Sequence, residues 1–291
     1  MGTPYLFWPW CSGLLAVVIG VIVARRDLNE AAGLEKLVVL GPVLFAGAVA
    51  AFAAEHFTLT SFVRDDIPSW MPGRLFLAYF VGVARYATAL SFGTRQHVWL
   101  SANLFALMLL IFVVVMHVPN ALRTVDRITW TVALRDFSFG AGALALAGVE
   151  MNHRGRVTSA SWRMTLGRVV VAMASVVFGV LQILHPLHAP GVPLQKLTPA
   201  WIPAPAVLGV GFGTIQLIAG AFMFVPGRAR TVALWLGVAL LVVVAVVYLP
   251  LVVTATDNGA RVEAENYVWD TVLVAGTVLL VARAARGKLE V

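Results

Sequence analysis

Charged residues are scarce in this sequence. Asp, Glu, Lys and Arg make up 12% of the 291 residues, whereas hydrophobic residues make up 60%. Soluble globular domains contain about 25% charged residues. So little polar surface could not cover a folded chain in water, and the composition therefore predicts that a lipid bilayer is the main solvent of this protein.

Cysteine is almost absent, since Cys11 is the only one. A single cysteine excludes disulfides within the chain, catalysis by a cysteine pair and metal sites built from clustered cysteines. No HExxH motif is present either, so the sequence predicts no metal site. It also identifies no catalytic residue, which favours a protein without catalysis of its own.

Long apolar runs are abundant. A membrane-spanning helix needs roughly 18 apolar residues or more, and helices satisfy their own backbone hydrogen bonds in hydrocarbon. Nine runs qualify: 6–24, 37–54, 73–91, 98–118, 131–150, 166–184, 205–225, 231–250 and 267–284. The sequence therefore predicts an all-α, polytopic membrane protein of about nine transmembrane helices.

The net charge of +7 is distributed unevenly between the two sides of these runs. Segments after the odd-numbered runs hold 13 Lys and Arg residues, the other segments hold six, and Arg85 and Arg135 lie within runs. Because positive residues concentrate on the cytoplasmic side, we expect a multi-pass protein of a bacterial-type inner membrane, with its N-terminus outside and its C-terminus in the cytoplasm. The bilayer, and not nucleic acid, is the expected partner of these charges.

The first run has no basic residues before it, and Arg25 and Arg26 follow it. A cleavable signal peptide has the opposite arrangement. We therefore expect residues 1–30 to form a retained transmembrane anchor.

Two stretches of the sequence repeat about 131 residues apart. "PSWMP" at 68–72 aligns with "PAWIP" at 199–203, Pro119 with Pro250, and Arg85 with Gln216, each at an offset of 131. This spacing predicts two tandem four-helix units, residues 31–155 and 156–291. Because four is an even number, both units would have the same membrane orientation, related by a pseudo-two-fold axis along the membrane normal.

Several polar and aromatic residues are predicted to gather on the outer side in this topology. They are His56 and His185 at helix ends, Trp70 and Trp201 in the long loops, and Asp136 and Asp270 about one turn inside their helices. Ionisable residues within a membrane run are costly and usually face protein or water. These six residues are therefore the candidate ligand-binding residues, and Arg85 and Gln216 are the candidate intramembrane polar residues.

Each candidate also has a structural interpretation. The Pro-x-Trp-x-Pro segments could be rigid interfacial elbows or re-entrant lips over a ligand cavity. The histidines could be interfacial residues or could handle protons, and the aspartates could make structural hydrogen bonds or act in function. Neighbouring helix residues point about 100° apart, so we expect His56, not Arg135, to be the partner of Asp136. We expect Arg85 to extend towards the cytoplasmic face.

A helix ending in His56-Phe57, followed by "IPSWMP" before the next helix, resembles the opening element of the DoxX-like membrane proteins. The second copy, with His185 and "TPAWIP", lacks the Phe. The resemblance implies a four-helix fold for each unit. Because some DoxX-like proteins are linked to quinone-coupled sulfur oxidation or to membrane redox complexes, it also implies a redox-associated or quinone- or lipid-binding subunit. Quinone is then a candidate cofactor, and a membrane redox protein a candidate partner.

Two other functions fit the same sequence. One is a small-solute transporter built from parallel repeats, with Asp136, Asp270, Arg85 and Gln216 along its route. The other is a structural scaffold for a partner enzyme. Nothing in the sequence identifies a substrate, a partner or an oligomeric state.

Overall fold

The computed structural model describes residues 4–286, which form helices and no strand beyond one isolated bridge within that range. Nine helical segments of the described chain are long and apolar enough to cross a membrane. The protein is therefore an all-α, multi-pass membrane protein, as predicted. Its helices are α1 (Pro4–Glu30), α2 (Glu35–Thr58), α3 (Thr60–Asp66), α4 (Arg74–Thr94), α5 (Val98–Phe112), α6 (Val118–Thr124), α7 (Arg127–His153), α8 (Val157–Leu184), α9 (Pro205–Met223), α10 (Pro226–Val243), α11 (Leu249–Thr254) and α12 (Asn258–Arg286).

Several helices begin well before the apolar runs that predicted them. α8 and α12 each begin nine residues before the corresponding apolar run. The first turns of both helices contain polar residues, so they do not count as part of an apolar run. Asp136 lies nine residues after the start of α7, and Asp270 twelve after the start of α12. At a rise of 1.5 Å per residue these distances are about 13 and 18 Å. The prediction that both aspartates lie one turn inside their helices was therefore wrong, and they lie deeper.

Aspartate side chains determine where α7 and α12 begin. Asp126 accepts hydrogen bonds from the backbone N–H groups of Ile128, at 3.0 Å, and Thr129, at 3.2 Å. Asp257 accepts one from the N–H of Ala260 at 2.9 Å. Such caps satisfy N–H groups that have no partner in the first helical turn.

Helices α2, α7 and α12 form the centre of the bundle and are its most buried spans. Small residues allow them to approach closely. A Cβ atom on Gly276 of α12 would lie 2.9 Å from the backbone nitrogen of Phe45 in α2, and one on Gly142 of α7 would lie 2.7 Å from Thr277 Cγ2. Close backbone packing of this kind stabilises helix association in lipid, where the hydrophobic effect between helices is weak.

The helix contacts follow the arrangement expected for two related units. The first helix of each predicted unit packs against the last helix of the other, so α2 contacts α12 and α8 contacts α7. The two last helices, α7 and α12, also pack against each other. This contact pattern is the one that the predicted pseudo-two-fold repeat requires, because exchange of the two units would map each pair onto the other.

Further structural features recur at the offset of 131. They are the left-handed residues Gly73 and Ala204 before α4 and α9, the π-helical turns Val113–His117 and Val244–Tyr248, and the caps Asp126 and Asp257. Gly82 and Gly213 recur as well, each in close contact with the preceding long helix. These coincidences support the predicted tandem repeat. The division into residues 1–30, 31–155 and 156–291 stays a prediction.

The two π-helical turns each interrupt a membrane span just before a proline. The N–H of Val118 bonds to the carbonyl of Val113, and that of Leu249 to the carbonyl of Val244, five residues earlier in each case. Pro119 and Pro250 follow. A proline inside an α-helix clashes with the carbonyl four residues earlier, and the wider turn makes room for it. π-Helical turns are frequent at functional sites.

Candidate ionic site within the membrane

Arg135 connects two buried aspartates from different helices. Its Nη2 lies 3.1 Å from Asp136 Oδ1, and its Nη1 lies 3.2 Å from Asp270 Oδ1. Asp136 is 8% exposed and Asp270 6% exposed, so both carboxyl groups are shielded from solvent. The predicted candidates Asp136 and Asp270 therefore share one cation at the interface of α7 and α12.

His117 is the second partner of Asp136. Its Nε2 lies 3.0 Å from Asp136 Oδ2, so the two oxygens of this carboxyl group have different partners. His117 is the last residue of the first π-helical turn, which brings the imidazole to α7. A hydrogen-bonded imidazole and carboxylate can hold or transfer a proton between them.

The expected pairing of His56 with Asp136 was wrong. The Nδ1 of His56 donates a hydrogen bond to the carbonyl of Ala78 at 2.8 Å, and this bond ties α2 to α4. The neighbour Arg135 was excluded as a partner by the 100° helical step, yet its Nε reaches Asp136 Oδ1 at 3.1 Å. A side chain as long as arginine can bend around the helix surface, so the angle between Cβ atoms does not determine which groups meet.

Arg85 faces the interior of the bundle, which contradicts the prediction that it extends to the cytoplasmic face. Its guanidinium carbon lies 5.9 Å from the centre of the Phe52 ring, and it interacts electrostatically with Asp136 and Glu55. Its Nε is buried and has no hydrogen-bond partner among the described residues. Arg85 lies eleven residues after the start of α4, and attraction to buried carboxylates holds it there.

These groups form one cluster, which we call the ionic cluster. Its members are Glu55, Arg85, His117, Arg135, Asp136 and Asp270. Three carboxylates face two guanidinium groups, which leaves one negative charge in excess when the histidine is neutral. A net charge within a membrane is costly. The cluster is therefore expected to hold a proton, and a neighbouring carboxyl, Glu265 beside Glu55, strengthens this requirement.

The predicted loop residues lie away from the ionic cluster. The side chains of Trp70 and Trp201 are 64% and 48% exposed, which fits their interpretation as interfacial residues. His185 packs edge-on against His188 with ring centres 5.6 Å apart. Desolvation, with Arg127 and His188 nearby, lowers the pKa of His185. The structure thus brings Asp136, Asp270 and Arg85 together, with His56 near Arg85, but not His185 or the tryptophans.

Gln216 occupies the position in the second half that corresponds to Arg85. It is 1% exposed, and its Oε1 has no hydrogen-bond partner in the described part of the chain. On the neighbouring helix Gln182 is fully buried, and its Nε2 donates to the carbonyl of His188 at 2.8 Å. At the position of Arg85 the second half therefore carries a neutral amide instead of a charge.

Residues 188–197 fold inward against the second half, and we call them the re-entrant segment. The N–H of Ala189 bonds to the carbonyl of Lys196 at 2.8 Å, which makes a short hairpin. Residues 189–193 are buried, and Gly191 lies between Leu240 of α10 and Thr271 of α12. The φ of +121° at Gly191, a backbone conformation that other residues rarely adopt, explains the glycine.

Side chains from three helices hold this segment in place. The Tyr248 hydroxyl donates to the carbonyl of Pro190 at 2.6 Å, and the Lys196 ammonium lies 2.6 Å from Glu263. Arg127, at the start of α7, donates to the carbonyls of Pro193 and Leu194. The first half thus anchors a loop of the second half.

Sequence reasoning missed His117, Arg135 and Glu55 as members of the site. His117 could have been found from its position, because it lies 131 residues before Tyr248 beside an aligned proline. Arg135 was visible as a charge within an apolar run. Glu55 carried no signal beyond its place beside His56, since only the packing of α2 against α4 and α12 reveals its surroundings. No protein-family model, no curated protein and no solved structure matches this chain.

Proposed function

We propose that this membrane protein is a proton-coupled transporter of a small solute. The observation that carries the proposal is the ion-paired group of Arg135, Asp136 and Asp270 where α7 and α12 meet. Transporters built from repeats place their binding sites deep in the membrane at the interface of the two halves. Ionisable residues at such depth commonly mark proton and substrate routes.

The charge of the ionic cluster supports coupling to protons. With three carboxylates and two guanidinium groups, addition or loss of a proton changes the net charge between zero and one negative charge. Protonation of Asp270 would weaken its ion pair with Arg135, which joins α12 to α7. Binding of a proton would thereby promote movement of one half relative to the other.

The experiment is a measurement of solute-induced currents on a solid-supported membrane with reconstituted protein. The probes are a panel of amino acids, small carboxylates, amines and sugars, applied with and without a pH gradient. We expect at least one compound to give a pH-dependent current that disappears in the Asp136→Asn, Asp270→Asn double variant. Asp65→Asn, on the exposed α3, is the matched control and should keep the current. Absence of any current across the panel would contradict the proposal.

A second candidate function is the binding of a quinone or lipid in a redox-associated subunit, which the DoxX-like resemblance suggests. A groove of about 380 Å³ between α4 and α5 supports it, lined by Leu90, Ser91, His97 and Leu100 among others. An apolar tail could lie along the leucines, with a polar head near His97. The DoxX-like membership itself stays a prediction.

Leu90→Trp would fill this groove, and Ile215→Trp, at an exposed apolar position of α9, is its control. Gently extracted wild-type protein should contain quinone or lipid detectable by native mass spectrometry. The Leu90→Trp variant should lose it and the Ile215→Trp variant should keep it. A stable partner enzyme, with neither bound quinone nor solute current, would instead support the scaffold hypothesis.

A further inference from the structure

Two arginines in the turn between α7 and α8 contact one aromatic ring. The guanidinium carbon of Arg154 lies 5.7 Å from the centre of the Trp99 ring, and that of Arg156 lies 5.9 Å from the same centre. Gly155 between them has a φ of +74°, which glycine adopts without strain in a tight turn. Because the face of an aromatic ring attracts cations, Trp99 holds two like charges close together.

Trp99 is a firm support for these charges. It is the second residue of α5, and it packs against buried side chains of α7 and α8, among them Met151 and Met164. One turn further along α5, Asn103 donates from Nδ2 to the Trp99 carbonyl at 2.6 Å. The Oδ1 of the same amide accepts a hydrogen bond from Nε of Arg163 at 2.9 Å. Three helices therefore fix the position of the ring.

The guanidinium groups of Arg154 and Arg156 have no anionic partner in the described part of the chain. Both residues are exposed, and their side chains make no hydrogen bond or ion pair with any described residue. Three carboxylates on the same predicted side are already paired, namely Asp27 with Arg95, Glu30 with Arg26 and Glu35 with Arg230. Two like charges without a counter-ion repel each other, and an anion between them would remove this repulsion.

The position of the arginine pair favours an anion that belongs to the membrane. The pair lies in the short turn between the spans of α7 and α8, where the chain leaves the bilayer and enters it again. Leu100 and Val157, the chain neighbours of Trp99 and Arg156, are 42% and 62% exposed. Tryptophan side chains concentrate at the level of lipid headgroups. A lipid would cover the apolar side chains as well as the arginines, whereas a free phosphate ion would contact the arginines alone.

We propose that Arg154, Arg156 and Trp99 form a binding site for the headgroup of an anionic phospholipid. The two guanidinium groups donate hydrogen bonds to the phosphate, and the ring directs both of them towards it. The planar set of N–H donors in a guanidinium group matches the oxygens of a phosphate. His153, the last residue of α7, lies 17 residues after Asp136, about 25 Å along the helix. The site is therefore separate from the ionic cluster, and the inference does not depend on the proposed transport.

The test is native mass spectrometry of the full chain in detergent, titrated separately with phosphatidylglycerol and with phosphatidylcholine of the same acyl chains. We expect the wild type to bind phosphatidylglycerol about tenfold more tightly, because the arginines repel the choline cation. Arg154→Gln combined with Arg156→Gln should remove this preference and leave the affinity for phosphatidylcholine unchanged. Equal affinity of the wild type for both lipids would overturn the inference.

Arg25→Gln combined with Arg26→Gln is the matched control. It also removes two exposed positive charges on the same predicted side, at the end of α1, where neither arginine contacts an aromatic ring. The affinity for phosphatidylglycerol should stay at the wild-type value. An equal loss in this control would mean that net charge alone attracts the lipid, and it would overturn the site.

Two further measurements separate the ring from the charges and a lipid from a free ion. Trp99→Leu keeps both arginines but should weaken phosphatidylglycerol binding roughly threefold, and unchanged affinity would refute the role of the ring. Because Trp99 also packs against α7 and α8, its unfolding midpoint is measured in parallel. If this variant does not fold, the exposed arginine pair decides alone. An excess of inorganic phosphate should not displace phosphatidylglycerol, and displacement would refute a lipid headgroup as the ligand.

Discussion

The guanidinium group of Arg135 lies between two carboxyl groups, 3.1 Å from Asp136 and 3.2 Å from Asp270. Asp136 is its neighbour in α7, while Asp270 belongs to α12. One side chain therefore connects the last helices of the two predicted units, and the connection depends on the protonation state of Asp270. The contribution of this connection to stability, and its dependence on the charge of Asp270, can both be measured.

Arg135→Met should destabilise the protein strongly. Removal of one partner leaves the others as unpaired buried charges, and such losses cost about 3–5 kcal/mol. Thermal unfolding in detergent should show a large decrease in the midpoint, which Asp136→Asn and Asp270→Asn in the same chain should partly restore. Arg26→Met, which removes an exposed pair with Glu30 in α1, is the control and should leave the midpoint unchanged.

Two glycines that lie close together in the fold should respond oppositely to alanine. A Cβ atom on Gly179 would lie 2.5 Å from the backbone nitrogen of Leu217, so Gly179→Ala should force α8 and α9 apart and lower the unfolding midpoint. A Cβ atom on Gly211 in α9 would meet no described atom within 4 Å beyond its chain neighbours and the backbone of its own helix. Gly211→Ala should stabilise the protein by about 0.5–1 kcal/mol through helix propensity. Equal effects at both sites would contradict this packing.

Loss of the Tyr248 hydroxyl should loosen the re-entrant segment. Tyr248→Phe leaves the carbonyl of Pro190 without its 2.6 Å donor, and an unsatisfied buried polar group costs about 1–3 kcal/mol. Trypsin cleavage after Lys196 reports local opening, and we expect it to accelerate about tenfold or more. Tyr79→Phe, at an exposed ring, is the control. Unchanged cleavage would mean that other contacts hold the segment.

The predicted orientation can be tested with single cysteines. In a Cys11→Ser background, Thr256→Cys lies before α12 and Gly227→Cys lies at the start of α10, on opposite sides of the membrane. The distribution of Lys and Arg predicts that an impermeant maleimide labels Thr256→Cys in intact cells. Gly227→Cys should react only after permeabilisation. The reverse pattern would invert the topology.

The sequence alone predicted the number of membrane-spanning helices and the positions that recur. The length of an apolar run and the placement of prolines can both be read locally along the chain. It also identified Asp136, Asp270 and Arg85, since a charge within an apolar run is conspicuous. It did not identify their partners. Arg135 and Asp270 are separated by 135 positions in the sequence, and His117 and Asp136 by 19. Only the packing of the helices brings each pair into contact.

The structural difference between the two halves also could not be predicted from the sequence. "HPLHAPGVPLQKL" contains the glycine and prolines of an ordinary loop, and nothing local indicates that residues 189–193 become buried. Their burial follows from hydrogen bonds to Tyr248 and Arg127, which are distant in the chain. The Pro-x-Trp-x-Pro motif recurs in both halves, whereas the structural difference between the halves lies in the residues around it.

The π-helical turn at Val113–His117 has a consequence for how this site tolerates change. A wide turn holds one residue more than an α-helical turn, and each residue rotates a helix by about 100°. Deletion of a single residue here would restore a regular helix and turn the imidazole of His117 away from Asp136. A substitution at position 117 changes one side chain, whereas a deletion in this turn changes the direction in which every later residue of the span points. The geometry of the site is therefore encoded in the length of the chain as much as in its chemistry.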